Sequence, residues 1–218
     1  LGGMLLAASL GFDERPVTHA MADTRPRCVA LFAPRVGGET RRLDDALLLV
    51  RRFAEALGAR LEVYWLDVGR AGLEELVYMV KEHVRRLVRE CSVDRVVFAP
   101  RAGLRVLTVV LTVAAMGLAL EPGQRVTLLL REESIGAVYE TDAASLAPVE
   151  LGEEERRVLR LLAKHTLEGR GLGVREAAEL LGIPRSTVHR RLQALAEKGL
   201  AYRAEDGYRA TPRGIASA

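Results

Sequence analysis

The chain has 218 residues, 49% of them hydrophobic, and a formal net charge of +3. That is enough for one large or two small domains with real cores, and two cysteines exclude a disulfide-scaffolded fold. Residues 1–149 hold 19 basic and 19 acidic side chains and residues 150–218 hold 13 and 10, so the whole excess sits at the C-terminal end. Only 3 of the 32 basic residues are lysine, an arginine bias that fits a GC-rich genome or a hot environment and does not by itself signal nucleic-acid binding.

Met4–Leu10 is short and apolar and ends at Gly11, so it reads as a buried strand followed by a loop. Arg27–Ala33 is a second apolar run. Thr40–Leu57 carries apolar residues at helical spacing and stops at Gly58. Leu61–Val68 alternates as a strand does, and Leu73–Glu90 is an amphipathic helix with its stripe at Leu76, Val77, Val80, Val84, Leu87 and Val88. Asp94–Ala99 is another buried strand, Leu104–Leu120 a helix, and Arg125–Arg131 with Gly136–Thr141 a hairpin. Alternating apolar strands and helices imply a mostly parallel, Rossmann-like sheet over residues 4–142. With right-handed crossovers, the loops after the first and fourth strands lie side by side.

Val106–Leu120 has no charged residue. It is too short for a membrane span, which needs about 20 residues, and an all-round apolar helix must be covered all round. One face suits the sheet and the other a second copy of the chain. Aspartate at Val110 or Leu111 is then expected to break the dimer or the fold. Cys28 and Cys91 read as small buried apolar residues. No signal peptide is visible in Leu1–Leu10, which points to the cytoplasm.

Residues 143–150 look like a linker, and 151–218 a second domain starting with a helix at Glu153–Thr166. Val174–Leu181, a turn at Gly182 and a helix opened by Pro184 form a helix-turn-helix. Val188, Leu192 and Leu195 are its buried stripe, which turns Arg185, Ser186, Thr187, His189, Arg190 and Gln193 outward. In such units the start of the second helix reaches base edges in the major groove. Leu200–Ala204 and Tyr208–Thr211 flank Glu205-Asp206-Gly207 as a two-stranded wing, with Arg203 and Arg209 as phosphate contacts. Pro184–Arg213 holds 7 basic against 3 acidic residues, a footprint suited to double-stranded DNA.

The loops after the strands of the first domain are polar: Gly11-Phe12-Asp13-Glu14-Arg15, Pro34-Arg35-Val36-Gly37-Gly38-Glu39 and Pro100-Arg101-Ala102-Gly103-Leu104-Arg105. A turn at Gly103 ahead of a helix start can cradle an anion, and Arg101 and Arg105 add charge. A Leu-Gly-Phe-Asp-Glu loop after the first strand, a Gly-Leu-Arg loop after the fourth and a C-terminal winged helix together resemble the archaeal CRISPR-associated Rossmann-fold (CARF) winged-helix regulators. The resemblance spans nearly the whole chain. It implies a homodimer whose cleft takes a cyclic oligoadenylate, usually the tetramer, as effector rather than cofactor. Gly11, Phe12, Asp13 and Glu14 match the family's first motif, and Arg101, Gly103, Leu104 and Arg105 its second; Ala102 and Arg35 lie beside them. Arg101 stands where family members often carry a hydroxyl.

The reading is therefore a ligand-responsive transcription regulator of a CRISPR system, acting on a palindromic site and not an enzyme. A ring nuclease or other nucleotide-acting enzyme using the same cleft is one alternative. A protein-interaction module with a vestigial pocket is another. A dinucleotide site needs GxGxxG after the first strand, and only Gly11 is there. The four histidines share no metal-ligand spacing, and no catalytic group or metal is assigned.

Overall fold

The computed structural model describes residues 2–35, 41–132 and 135–218. The chain divides into two compact units, Leu1–Ala144 and Ser145–Ala218. Sequence positions Val36–Thr40, part of the second loop and the start of the helix after it, lie outside the described residues.

The first unit is a six-stranded sheet of β1 (Gly3–Ser9), β2 (Cys28–Pro34), β3 (Arg60–Leu66), β4 (Val93–Ala99), β5 (Arg125–Glu132) and β6 (Ala137–Asp142). Their order is β3-β2-β1-β4-β5-β6. All neighbours are parallel except β5 and β6, which form the expected hairpin. The order reverses between β1 and β4, so both strands run through the centre. β1 and β2 are accordingly apolar on both faces, and Leu5, Leu6, Val29 and Leu31 are wholly buried.

Helices α1 (Arg15–Thr24) and α2 (Arg41–Leu57) cover one face; α3 (Leu73–Cys91) and α4 (Arg105–Ala119) cover the other. Helix α1 replaces what reads in the sequence as loop. Its ten residues bury Pro16, Val17, Ala20 and Met21, too short a stripe to stand out, and its start depends on a carboxylate two residues upstream.

One expectation is corrected and another is narrowed. Cys28 and Cys91 form a disulfide across 63 residues, with Cα atoms 6.6 Å apart. The fold sets the start of β2 beneath the end of α3, a juxtaposition that spacing along the chain cannot reveal. Val110 and Leu111 face the core and are 0% exposed, so they report on folding rather than on an outer surface. The outward side of α4 is Val109, Val113 and, just beyond the helix, Leu120.

A short 3-10 turn at Ala143–Leu146 opens the stretch read as a linker. The second unit contains α5 (Glu153–Leu167), α6 (Val174–Leu181), α7 (Arg185–Glu197), β7 (Ala201–Ala204), β8 (Gly207–Ala210) and α8 (Pro212–Ala216). Gly182 closes α6 in the left-handed conformation, φ +66°, where a side chain would be strained. Val158, Leu162, Leu172, Val188, Leu192, Leu195 and Leu200 make its core.

Candidate functional site

The strand order places the loop after β1 against the loop after β4. They touch backbone to backbone: a Cβ on Gly11 would lie 2.4 Å from the Gly103 nitrogen, and one on Gly103 2.5 Å from the Leu10 oxygen. Gly103 has φ +90°, open only to glycine. The Ser9 hydroxyl, wholly buried at the end of β1, accepts the Ala102 N–H at 3.2 Å. Helices α1 and α4 both begin at this edge.

Neither helix start has a side chain at its N-cap position satisfying its free N–H groups. One residue earlier than the α1 cap, Asp13 takes the Arg15 N–H at 3.0 Å and the Arg15 guanidinium at 2.6 Å. That pairing holds the Asp13 carboxyl down at about 2, the Arg15 side-chain bond being the largest cause. Asp13 is thus a fixed anion that shapes the loop. Phe12 is 59% exposed, and Arg35 and Arg105 are exposed too. Glu14, Arg101 and Leu104 are half-buried, while Gly11 and Ala102 are buried.

Phe12 also lines an open hollow of about 610 Å³ with Arg41, Arg42 and Asp45 of α2. The sequence reading missed these two arginines. Their signal is that cations at a helix start oppose the macrodipole, so they are poor choices for the helix alone. Another concavity, of about 930 Å³, lies at the opposite edge beside Arg25, Arg27, Arg95 and Arg125. Helices α1 and α2 end there, whereas α1 and α4 begin at the switch-point edge, which is the candidate site.

In the second unit, Arg185, Ser186, His189, Arg190 and Gln193 are exposed on α7 and Thr187 is half-buried. Arg191, next in the chain, turns back to Glu154 of α5 at 2.6 Å. Arg190 and Arg203 pair with no acidic group among the described residues. Arg209 is held inside the wing by Asp206 at 2.7 Å and the Gly169 carbonyl at 3.0 Å. Arg209 and the Gly171 N–H keep the Asp206 carboxyl at about 2. Lys198 lowers Glu155, whose carboxylate also takes the Gly152 N–H at the start of α5.

Among the described residues no group of three His, Cys, Asp or Glu could hold a metal ion, and no helix is long and apolar enough to cross a membrane.

These features define a Rossmann-like α/β sheet unit followed by a winged helix-turn-helix. Residues 157–205 match the IclR helix-turn-helix domain family, which covers α6, α7 and most of α5. Enterococcus italicus Csm6 bound to cyclic hexa-2'-fluoro-hexa-dAMP shares the fold, with TM-score 0.51 and 8% identity over 91% of this chain and 55% of that one. Can2 from Sulfobacillus thermosulfidooxidans in complex with cyclic tetra-adenylate gives TM-score 0.45 and 8% identity over 97% and 62%. A hypothetical protein from Sulfolobus solfataricus is 31% identical over 29% of this chain and 50% of that one, with TM-score 0.29. The chain thus spans between half and about three fifths of the length of these three. No curated protein matches it in sequence.

Proposed function

We propose that the chain is a DNA-binding transcription regulator of a CRISPR system, switched by a cyclic oligoadenylate bound at the edge formed by Gly11–Arg15 and Arg101–Arg105. One observation carries this reading: two helix starts and two glycine loops converge at the switch point of a sheet that is joined to a helix-turn-helix. At α4, capped by the apolar Leu104, N–H groups left free at a helix start attract anions, and arginines bind phosphodiesters; at α1 the Arg15 N–H is already taken by Asp13. The fold is shared with a protein bound to a cyclic hexanucleotide analogue. The sequence resemblance makes cyclic tetra-adenylate the first ring to test; Arg101, which departs from the family's usual hydroxyl, makes the hexamer the second.

Double-stranded DNA is the partner of α7 and the wing. Arg185, Ser186, Thr187, His189, Arg190 and Gln193 would read bases, and Arg203 would hold a phosphate. Arg209 is committed within the wing and drops to a supporting role. A cytoplasmic homodimer, formed through the outer side of α4, would match a palindromic site. For the ligand to regulate, it must favour one dimer geometry over another.

Thermal melting with cyclic tetra- and hexa-adenylate tests the sensing half. Ligand at 100 times its dissociation constant adds about 2.7 kcal/mol of stability. No shift with either ring sinks that half. Recovery of the ring as linear product would move the reading to a ring nuclease; intact ring keeps it a regulator.

A further inference from the structure

The buried hydroxyl of Ser9 has no part in the core around it. β1 is otherwise glycine, methionine, leucine and alanine, and a hydroxyl that is 0% exposed is tolerated there only when hydrogen-bonded. Its partner is the Ala102 N–H of a different loop, 93 residues away. Beside it, Gly11 and Gly103 leave no room for a Cβ on either side. Leu10 continues the sheet one residue further by donating its N–H to the Phe32 carbonyl at 2.8 Å, so the β1 side of this junction is anchored to the sheet. α4 starts two residues after Gly103, and its outward side carries Val109 and Val113.

We propose that Ser9, with Gly11 and Gly103, is a latch that joins the β1–α1 and β4–α4 loops into one unit, so that a phosphate-bearing ligand contacting either loop sets the position of α4. Ser9 is a positioning residue: it orders the loops and does not touch the ligand. Its acceptance of the Ala102 N–H leaves the following N–H groups, at the start of α4, available for the anion. The ligand part of this inference rests on the sensing reading above; the joining of the loops does not.

Amide hydrogen exchange on the full chain tests the latch, with Ser9→Ala and Gly11→Ala as variants. Both substitutions sit in or beside β1. Each is expected to speed exchange about tenfold or more at Ala102–Leu104 and also at Gly11–Asp13, while β2 and β5 amides stay unchanged. Having both variants keeps the test decisive if one fails to fold. Faster exchange confined to the β1 loop in Gly11→Ala, or to Ala102 alone in Ser9→Ala, overturns the latch. In titrations with cyclic tetra-adenylate, Ser9→Ala is expected to bind about tenfold more weakly, with DNA affinity in the absence of ligand unchanged. Equal affinity overturns the coupling to the ligand. A wild-type chain that binds no ring fails the sensing reading, while the exchange data still decide the latch.

Discussion

Arg190 and Arg191 are neighbours with different fates. One turn of sequence cannot separate them, yet Arg191 reaches Glu154 and Arg190 faces outward without an acidic partner among the described residues. Arg190→Ala is expected to weaken DNA binding by roughly five- to hundredfold if it forms a bidentate base contact, worth about 1–3 kcal/mol. Fluorescence anisotropy at moderate salt checks this, and unchanged affinity would remove Arg190 from the interface. Arg191→Ala acts differently: it loosens an α5–α7 contact and is expected to lower the melting temperature more than the DNA affinity. Two carboxyls of this unit are shifted in the same direction. Asp206 and Glu155 have carboxyls held below their ordinary values by Arg209 and Lys198. Their contribution is present above the unfolded carboxylate range and is lost as pH falls through the lowered folded values, about 2 for Asp206. Acid melts between pH 5 and 2 are expected to show the winged unit losing stability across that window. Asp206→Asn is expected to flatten the curve; an unaltered pH profile would show that the pair contributes nothing.

At the scale of elements, α4 is where sequence and structure diverge most usefully. Its lack of charge is plain in the sequence, but which residues face which way is not, because valine stands on every side. The sheet and α3 claim Leu107, Val110, Leu111, Ala114, Ala115 and Leu118. Val109 is 48% and Val113 45% exposed. Val109→Asp with Val113→Asp is therefore expected to leave the fold intact and to yield a monomer in light scattering, against the dimer proposed for the wild type. Val110→Asp instead buries a charge in the core and is expected to prevent folding. A double variant that remains dimeric would place the interface elsewhere. The helix-turn-helix was legible throughout, because glycine, proline and a three-residue apolar stripe fix its turn and its buried side locally. Helix α1 was not, since its start is set by the Asp13 carboxylate and its burial by a sheet built from distant residues.

The whole sheet unit is cross-linked by Cys28–Cys91. Closing a loop of 63 residues restrains the unfolded chain by about 4 kcal/mol on a chain-entropy basis. Reduction, or Cys28→Ala with Cys91→Ala, is expected to lower the melting temperature by about 10 °C, with the ligand edge unaffected because the bond lies at the far end of the strands. Equal melting of oxidised and reduced protein would show that the bond adds no stability. The disulfide was invisible in the sequence for a geometric reason: its two cysteines belong to different layers, and only the strand order brings them together.

The sequence by itself determined the kinds and order of the elements apart from α1 and α8, the helix-turn-helix and the polar loops that end β1 and β4, since all of these follow from local periodicity and backbone chemistry. Tertiary structure alone decided the contact of Gly11 with Gly103, the burial of Ser9 on the Ala102 amide, the disulfide and the outward side of α4. Each of those depends on residues tens of positions apart sharing the same few ångströms, and that proximity is set by strand order rather than by any neighbouring residue.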